Sequence, residues 1–329
     1  MDVQVTIIGL GLIGTSIGLA LGKYGDKIHR VGHTRQRAQA NTAKRMGAID
    51  KIHSNLPTAV SKADIVILAI PADEVRETLE LTVPDYKVDA LILNVTPMHR
   101  AVADWAAELL PAGRSVLGFT PLLNADFLHG VEAGIEAADA DLFRGGLFAI
   151  TATPTADASA INTAAYLAQL LGAAPLFVEL AEADSLLAGG HLMPQLLAAA
   201  LTNTTVGAPG SKEGRKFFGR AFSLTTHAIT SQDRPSALAQ AAVFNKEAVT
   251  RWLDSLIAEL QALRAEVDAG QQEAVGERMA RANKEREAWW RQRQRSDWAG
   301  VERAPKVDAK SFAAQLFGFG KRLDPDSKR

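Results

Sequence analysis

The chain has no cysteine among its 329 residues, which excludes disulfides, thiolate metal centres and cysteine nucleophiles together. It also has almost no net charge: 36 Lys and Arg against 37 Asp and Glu leave −1, so no global field points to nucleic acid or to a membrane surface. No apolar run reaches bilayer length, because Lys, Arg, Asp or Glu interrupts every candidate, and no membrane span is expected. The first strand pattern starts at Val3 and leaves no room for a signal peptide, so the cytoplasm is the expected location. The chain lacks a strained Ser nucleophile turn, an H-E-x-x-H pair and a phosphate-binding lysine loop, and no metal site is expected. What remains is an ordinary globular composition, 47% hydrophobic and 22% charged, at a length that suggests two domains.

The residues that are present are organised around the stretch 3–21, VQVTIIGLGLIGTSIGLAL. Val3, Val5, Ile7 and Ile8 make a short strand that runs straight into Gly9-Leu10-Gly11-Leu12-Ile13-Gly14, and a helical run comes next. A strand, a G-x-G-x-x-G turn and a helix form a dinucleotide-binding arrangement. Gly9 allows the tight turn, Gly11 lets the backbone approach a pyrophosphate, and Gly14 lets helix and strand pack closely. Leu12 and Ile13 sit between them at the helix N-terminus, where unpaired N–H groups and the positive end of the dipole favour phosphate.

Residues 28–32 read as the second strand, and the residues just beyond it bear on the cofactor. An NAD site usually carries Asp or Glu at the end of this strand to accept from the ribose hydroxyls. Here the chain reads His33-Thr34-Arg35-Gln36-Arg37, with no acid. Thr34 with Arg35 and Arg37 suits a 2′-phosphate, which arginine holds through charge-assisted hydrogen bonds, so NADP is expected. The alternative is a solvated start to the next helix.

Further along, 47–50 reads as an edge strand and 65–70 as a strand buried on both faces, ending at Ala69-Ile70-Pro71 beside the glycine turn. Strands at 90–95, 115–118, 147–151 and 175–178 alternate with helices. The fold class expected is α/β: a doubly wound Rossmann-type domain over 1–178, with Asn94 at a strand end near the cofactor. From 179 to 295 long helical segments take over, at 181–206, 216–230, 236–269 and 271–295. Trp252, Leu256, Leu260, Leu263 and Val267 line one helical face, and an all-α dimerisation domain that buries this stripe against a second copy is expected. Packing within one chain would also satisfy the pattern. Arg286 to Arg295, with Trp289 and Trp290 among acids, reads as a solvated face and not as a nucleic-acid site. The basic tail 296–329 carries an apolar patch at Phe312, Leu316 and Phe317, expected to dock on its own or a neighbouring subunit.

Several of these segments together resemble the prephenate/arogenate dehydrogenase family: the glycine turn, ADIVILAIP at 63–71, 131–145 with Glu132-Ala133, the helix at 182–201, and 222–229. The resemblance covers roughly residues 3–295, in order. It implies an oxidoreductase of tyrosine biosynthesis that uses NAD(P) to take a hydride from a hydroxyl-bearing ring carbon. Loss of carbon dioxide then makes the ring aromatic. Such chemistry needs a proton acceptor for the hydroxyl and a cation for the substrate carboxylates.

Carried over position by position, the cofactor half matches and the chemical half departs. The family's proton-accepting histidine falls on Thr120, whose hydroxyl is no general base near neutral pH without help. The family's Gly-Ser falls on Thr96-Pro97. Its His-Leu-Pro-His falls on Leu192-Met193-Pro194-Gln195, with His191 one residue earlier, and its Thr-Arg pair falls on Thr226-His227. Thr120, His191 and His227 are therefore the catalytic candidates, and Asn124, Gln195 and Thr96 the substrate-binding ones, in a crevice between the domains. His29, His53 and His129 read as surface residues, and His99 lies near the nicotinamide pocket. Three readings stay open: the family's own reaction with His191 or His227 as the base, an NADP-dependent dehydrogenase of another small carboxylic acid, and an inactive NADP-binding dimer.

Overall fold

The computed structural model describes residues 3–129, 134–210, 212–231 and 233–296. The apolar patch of the tail and the Glu132-Ala133 pair lie outside the described residues. The chain divides into two compact units, one running to Ala183 and the other beginning at Asp184.

The first unit is built on an eight-stranded sheet in the order β3-β2-β1-β4-β5-β6-β7-β8. The strands are β1 (Val3–Ile8), β2 (Ile28–His33), β3 (Lys51–Ile52), β4 (Ile65–Leu68), β5 (Leu91–Asn94), β6 (Ser115–Leu122), β7 (Leu147–Thr151) and β8 (Ala174–Phe177). Between them run α1 (Leu12–Leu21), α2 (Arg37–Arg45), α3 (Leu56–Val60), α4 (Val75–Thr82), α5 (His99–Leu109) and α6 (Ala158–Leu170). All strand pairings are parallel except β6 with β7. The central strands are mostly β-branched and aliphatic because helices cover both faces, and β4 and β5 are buried at every position. Order reverses between β1 and β4, the point at which an open parallel sheet leaves a crevice for a ligand.

The register places one residue from each of six strands in a single row along this edge: His33, Ile8, Leu68, Asn94, Gly118 and Thr151. Helix α1 starts just beyond that row, and α5 starts just beyond β5. His99 is the first residue of α5, five residues past the end of β5. β6 runs four residues past its expected end, because antiparallel pairing with β7 continues the ladder to Leu122.

Residues 47–50 are not a strand. Gly47 adopts φ +80° at the end of α2, a left-handed turn that only glycine takes without strain, and the chain pairs with β2 only from Lys51. Ala48 and Ile49 fold into the core instead, Ala48 against Gly18 and Ile49 against Gly32.

Among the described residues the second unit is helical: α7 (Leu180–Leu187), which begins in the first unit, then α8 (Met193–Thr205), α9 (Arg220–Thr226), α10 (Ala228–Ser231), α11 (Pro235–Phe244), α12 (Lys246–Asp268) and α13 (Gln272–Arg295). The helices at 181–206, 216–230 and 236–269 are each broken where one was expected. Between α7 and α8 the residues Ala188–Leu192 form a π turn. Pro194 has no N–H for the carbonyl of Gly190, so the ladder widens there. Gly189 admits the Trp252 ring of α12, whose Nε1 donates to Ser185 O at 3.0 Å; a Cβ at 189 would lie 2.8 Å from that ring. His227 interrupts α9 and α10, and buried Asn245 separates α11 from α12. Among the described residues no helix is long and apolar enough to cross a membrane.

Candidate active site

The glycine turn has the geometry a dinucleotide requires. Gly9 has φ +94°, and a Cβ there would fall on the carbonyl oxygen of Ala69, with the Ile70 side chain beside it. A Cβ at Gly14 would fall on the carbonyl of Gly9. Gly11 differs: a Cβ would meet nothing, so the space over it is open. Gly11 caps α1 without any side-chain hydrogen bond, and the first turn holds no acid. The first N–H groups of α1, including those of Leu12 and Ile13, have no intrahelical partners. They face an opening with a positive helix end behind them.

Across the row, Asn94 supplies a second polar group. Its Oδ1 accepts from Thr96 Oγ1 at 2.8 Å and from Thr96 N at 3.2 Å. Its Nδ2 is buried and has no hydrogen-bond partner among the described residues. A buried amide left unpaired costs free energy unless a ligand uses it. The open Gly11 and this donor both fit a nucleotide.

At the end of β2, His33 takes the place of an acid. It is buried, and its Nδ1 lies 2.9 Å from the carbonyl of His53. Thr34 Oγ1 donates to Gln39 Oε1 at 2.9 Å. Arg35 is engaged, donating to Glu77 at 2.7 Å with Glu74 at 3.6 Å, yet its side chain is 60% exposed. Arg37 opens α2 and is exposed.

Thr120 is buried on β6, two residues past Gly118. Its Oγ1 lies 2.7 Å from His99 Nε2, and the carbonyls of Val95 and Thr96 are each 3.4 Å away. Thr151 Oγ1 lies 3.0 Å from the other ring nitrogen of His99. Burial pushes the His99 imidazole down to about 4, so the ring is neutral at ordinary pH. Asn124 is turned to structural use: its Nδ2 donates to Arg144 O at 3.1 Å.

In the helical unit His191 sits on the π turn and Gln195 one turn on. His191 Nε2 lies 2.6 Å from Asp233 Oδ2, Gln195 Nε2 donates to the same oxygen at 3.1 Å, and Asp233 N donates back to Gln195 Oε1 at 3.2 Å. Burial raises the Asp233 pKa, but hydrogen bonds and charge from His191 and a bond from Gln195 outweigh it, and the net direction is down. His227 is exposed at the α9–α10 break, where its carbonyl accepts from Thr230.

The structure thus joins His191 with Gln195, and Asn94 with Thr96 and, through carbonyl contacts, Thr120. Sequence reasoning missed Asp233, which is 42 residues from His191, and the hydrogen bonds of His99 to Thr120 and Thr151. The only sequence signal for Asp233 was its place in the loop before Pro235.

Two family models match the chain. Residues 17–176 match the prephenate dehydrogenase nucleotide-binding domain, and residues 181–281 match the prephenate dehydrogenase dimerization domain. The chain belongs to the prephenate dehydrogenase family. It is 28% identical over 208 residues to the prephenate dehydrogenase of Bacillus subtilis, covering 62% of this chain and 54% of that one. The match therefore spans about half of that relative's length. It is 24% identical over 268 residues to the cyclohexadienyl dehydrogenase of Zymomonas mobilis, covering 80% of this chain and 88% of that one. Among solved structures, Aquifex aeolicus prephenate dehydrogenase with hydroxyphenyl propionate and NAD+ shares the fold. Its TM-score is 0.77 at 19% identity, over 88% of this chain and 98% of that one. The first unit of this family member is a nucleotide-binding domain, and its helical part corresponds to a dimerization domain.

Proposed function

We propose that this prephenate dehydrogenase family member is an NADP-dependent oxidoreductase that oxidises prephenate or arogenate with loss of carbon dioxide, and that it works as a homodimer. The observation that carries the reading is the open approach to Gly11 at the head of α1, on a sheet edge that also presents the unpaired Asn94 amide. Bound there, the oxidised nicotinamide would supply the hydride acceptor. Leu12 and Ile13 N–H groups would hold the pyrophosphate, with Ala69, Ile70, Pro71 and Asn94 along the groove.

NADP preference rests on three features of the β2 end: no acid, Thr34, and the two arginines. The Arg35–Glu77 contact is an exposed pair worth about 0–1 kcal/mol, so a phosphate dianion displaces it easily. Arg37 needs no such release. In the helical unit, His191 is oriented by Asp233 and joined by Gln195 in one polar cluster, and His227 is exposed at the α9–α10 break. The homodimer is supported by apolar side chains left exposed on α12, namely Trp252, Ile257, Leu260 and Val267.

The test is to titrate purified protein with NADP(H) and NAD(H), then to follow NADPH formation with prephenate and with arogenate. Tighter NADP(H) binding and turnover of one acid are expected. Binding without turnover of either acid overturns the substrate assignment, and equal affinity for NAD(H) overturns the cofactor assignment.

A further inference from the structure

His99, Thr120 and Thr151 reach one point from the start of α5, from β6 and from β7. They meet over Gly118, where a Cβ would lie 2.5 Å from His99 Nδ1 and would also strike Thr151 Oγ1. Glycine at this position is what leaves room for the imidazole between two hydroxyls. All three residues are buried, with His99 2% exposed and Thr151 1%.

The hydrogen-bond inventory limits how the protons are arranged. A neutral imidazole has one N–H and one lone pair. Thr120 has one hydroxyl proton, and its nearest acceptor is His99 Nε2 at 2.7 Å, well inside the two carbonyls at 3.4 Å. If that proton points at Nε2, then Nδ1 carries the ring proton and donates to Thr151 Oγ1 at 3.0 Å. Both ring nitrogens of His99 then have a hydrogen-bond partner. The lone pairs of Thr120 Oγ1 are left to accept a proton at the sheet edge that bears Asn94 and the glycine turn.

We propose that Thr120 is the catalytic residue that takes the proton of the substrate hydroxyl, passing its own proton to Nε2 of His99 in the same step. The proposal rests on the oxidoreductase reading above and supplies the proton acceptor which that reading leaves unassigned. As the substrate O–H bond breaks, a new O–H bond forms on Thr120 while its original one is lost to an N–H bond on His99. An oxidised nicotinamide dinucleotide, when bound, would take the electron pair of the carbinol C–H bond as hydride, and the C–O bond would become a carbonyl. The proton leaves His99 by the same route, back through Thr120 to solvent, after product has left. A threonine hydroxyl is too weak a base alone; the imidazole behind it, neutral and with Nε2 at 2.7 Å, is placed to take its proton as charge develops on the substrate oxygen. His99 acts through Thr120 and is a positioning residue.

The alternative is a buried hydrogen-bonded cluster that serves only the core, and two measurements separate them. Nitrogen NMR of the full chain labelled at histidine, free of cofactor, is expected to show His99 neutral with the proton on Nδ1; a proton on Nε2 overturns the relay. In kinetics with NADP and the better of prephenate and arogenate, Thr120→Val is expected to lower kcat on the order of 100-fold with KM within about threefold. Thr120→Ser is expected to recover most of the rate, and wild type to show a solvent isotope effect with a curved proton inventory. Wild-type turnover with an undiminished kcat in Thr120→Val overturns the relay alone. A wild type that turns over neither acid overturns the substrate assignment and the relay with it.

Discussion

His191 and Asp233 lie 2.6 Å apart on a π turn and an interhelical loop, and Gln195 bonds to both. Because the carboxylate accepts from two side chains, removing it leaves an imidazole and an amide short of a partner in a half-buried position. Asp233→Ala is expected to cost about 1–2 kcal/mol, read as a lower urea midpoint with unchanged slope. The double variant with His191→Ala should cost less than the sum of the two single ones. Additive costs would mean that the contact contributes nothing to stability.

Gly11 and Gly14 should separate binding from folding. A side chain at 14 meets the Gly9 carbonyl, which cannot move without opening the turn, so Gly14→Ala is expected to lose about 1–3 kcal/mol of stability. A side chain at 11 meets nothing, and the backbone there, at φ −80°, suits any residue. Gly11→Ala should therefore melt like wild type but bind NADP(H) at least roughly tenfold more weakly, about 1.4 kcal/mol. Unchanged affinity in Gly11→Ala would show that no pyrophosphate approaches this point.

Much of this arrangement comes from local pattern. The glycine turn, the buried aliphatic strands and the helical character of the second half are set by residues within a few positions of one another. The helix breaks are different. The π turn at Ala188–Leu192 depends on Trp252, more than sixty residues away, and on a proline that an Ala/Leu-rich pattern conceals. The chemistry is equally non-local: His99 meets Thr120 only because β6 lies beside β5, and Asp233 meets His191 only because the chain returns to α8. Histidines judged one at a time look alike, and their partners distinguish them. His99 is buried between two hydroxyls, His191 is paired with a carboxylate, and His227 is exposed.

Burial of His99 makes stability depend on pH in a predictable direction. Its pKa is about 4 in the folded chain against an ordinary value of 6.5. Between those values the unfolded chain binds a proton that the native chain refuses, so stability falls as pH drops from about 6.5 to about 4 and levels off below. The contribution at stake is about 3 kcal/mol. His53, also shifted down by burial and by Lys51, adds in the same direction, while Asp50 and Asp233, shifted down, add their losses only in the carboxylate range. Urea midpoints measured at about pH 7 and about pH 5 should differ more for wild type than for His99→Gln. Equal differences would mean that His99 titrates as a solvated histidine.

Arg35 and Arg37 give the cofactor prediction its sharpest form, because the two start from different states. To meet a 2′-phosphate, Arg35 would have to leave Glu77 and Glu74, whereas Arg37 is exposed at the head of α2. Arg35→Ala gives up a cation but also spares the cost of breaking the pair, so its loss of NADP affinity should be the smaller, within roughly tenfold. Arg37→Ala should lose more, up to about 2 kcal/mol or roughly thirtyfold, since charge-assisted bonds to phosphate count fully there. Neither change should weaken NAD binding, which has no 2′-phosphate to meet. Parallel titrations of both variants with NADP and NAD decide it: an equal loss for the two cofactors would place the arginines elsewhere than at the 2′-phosphate.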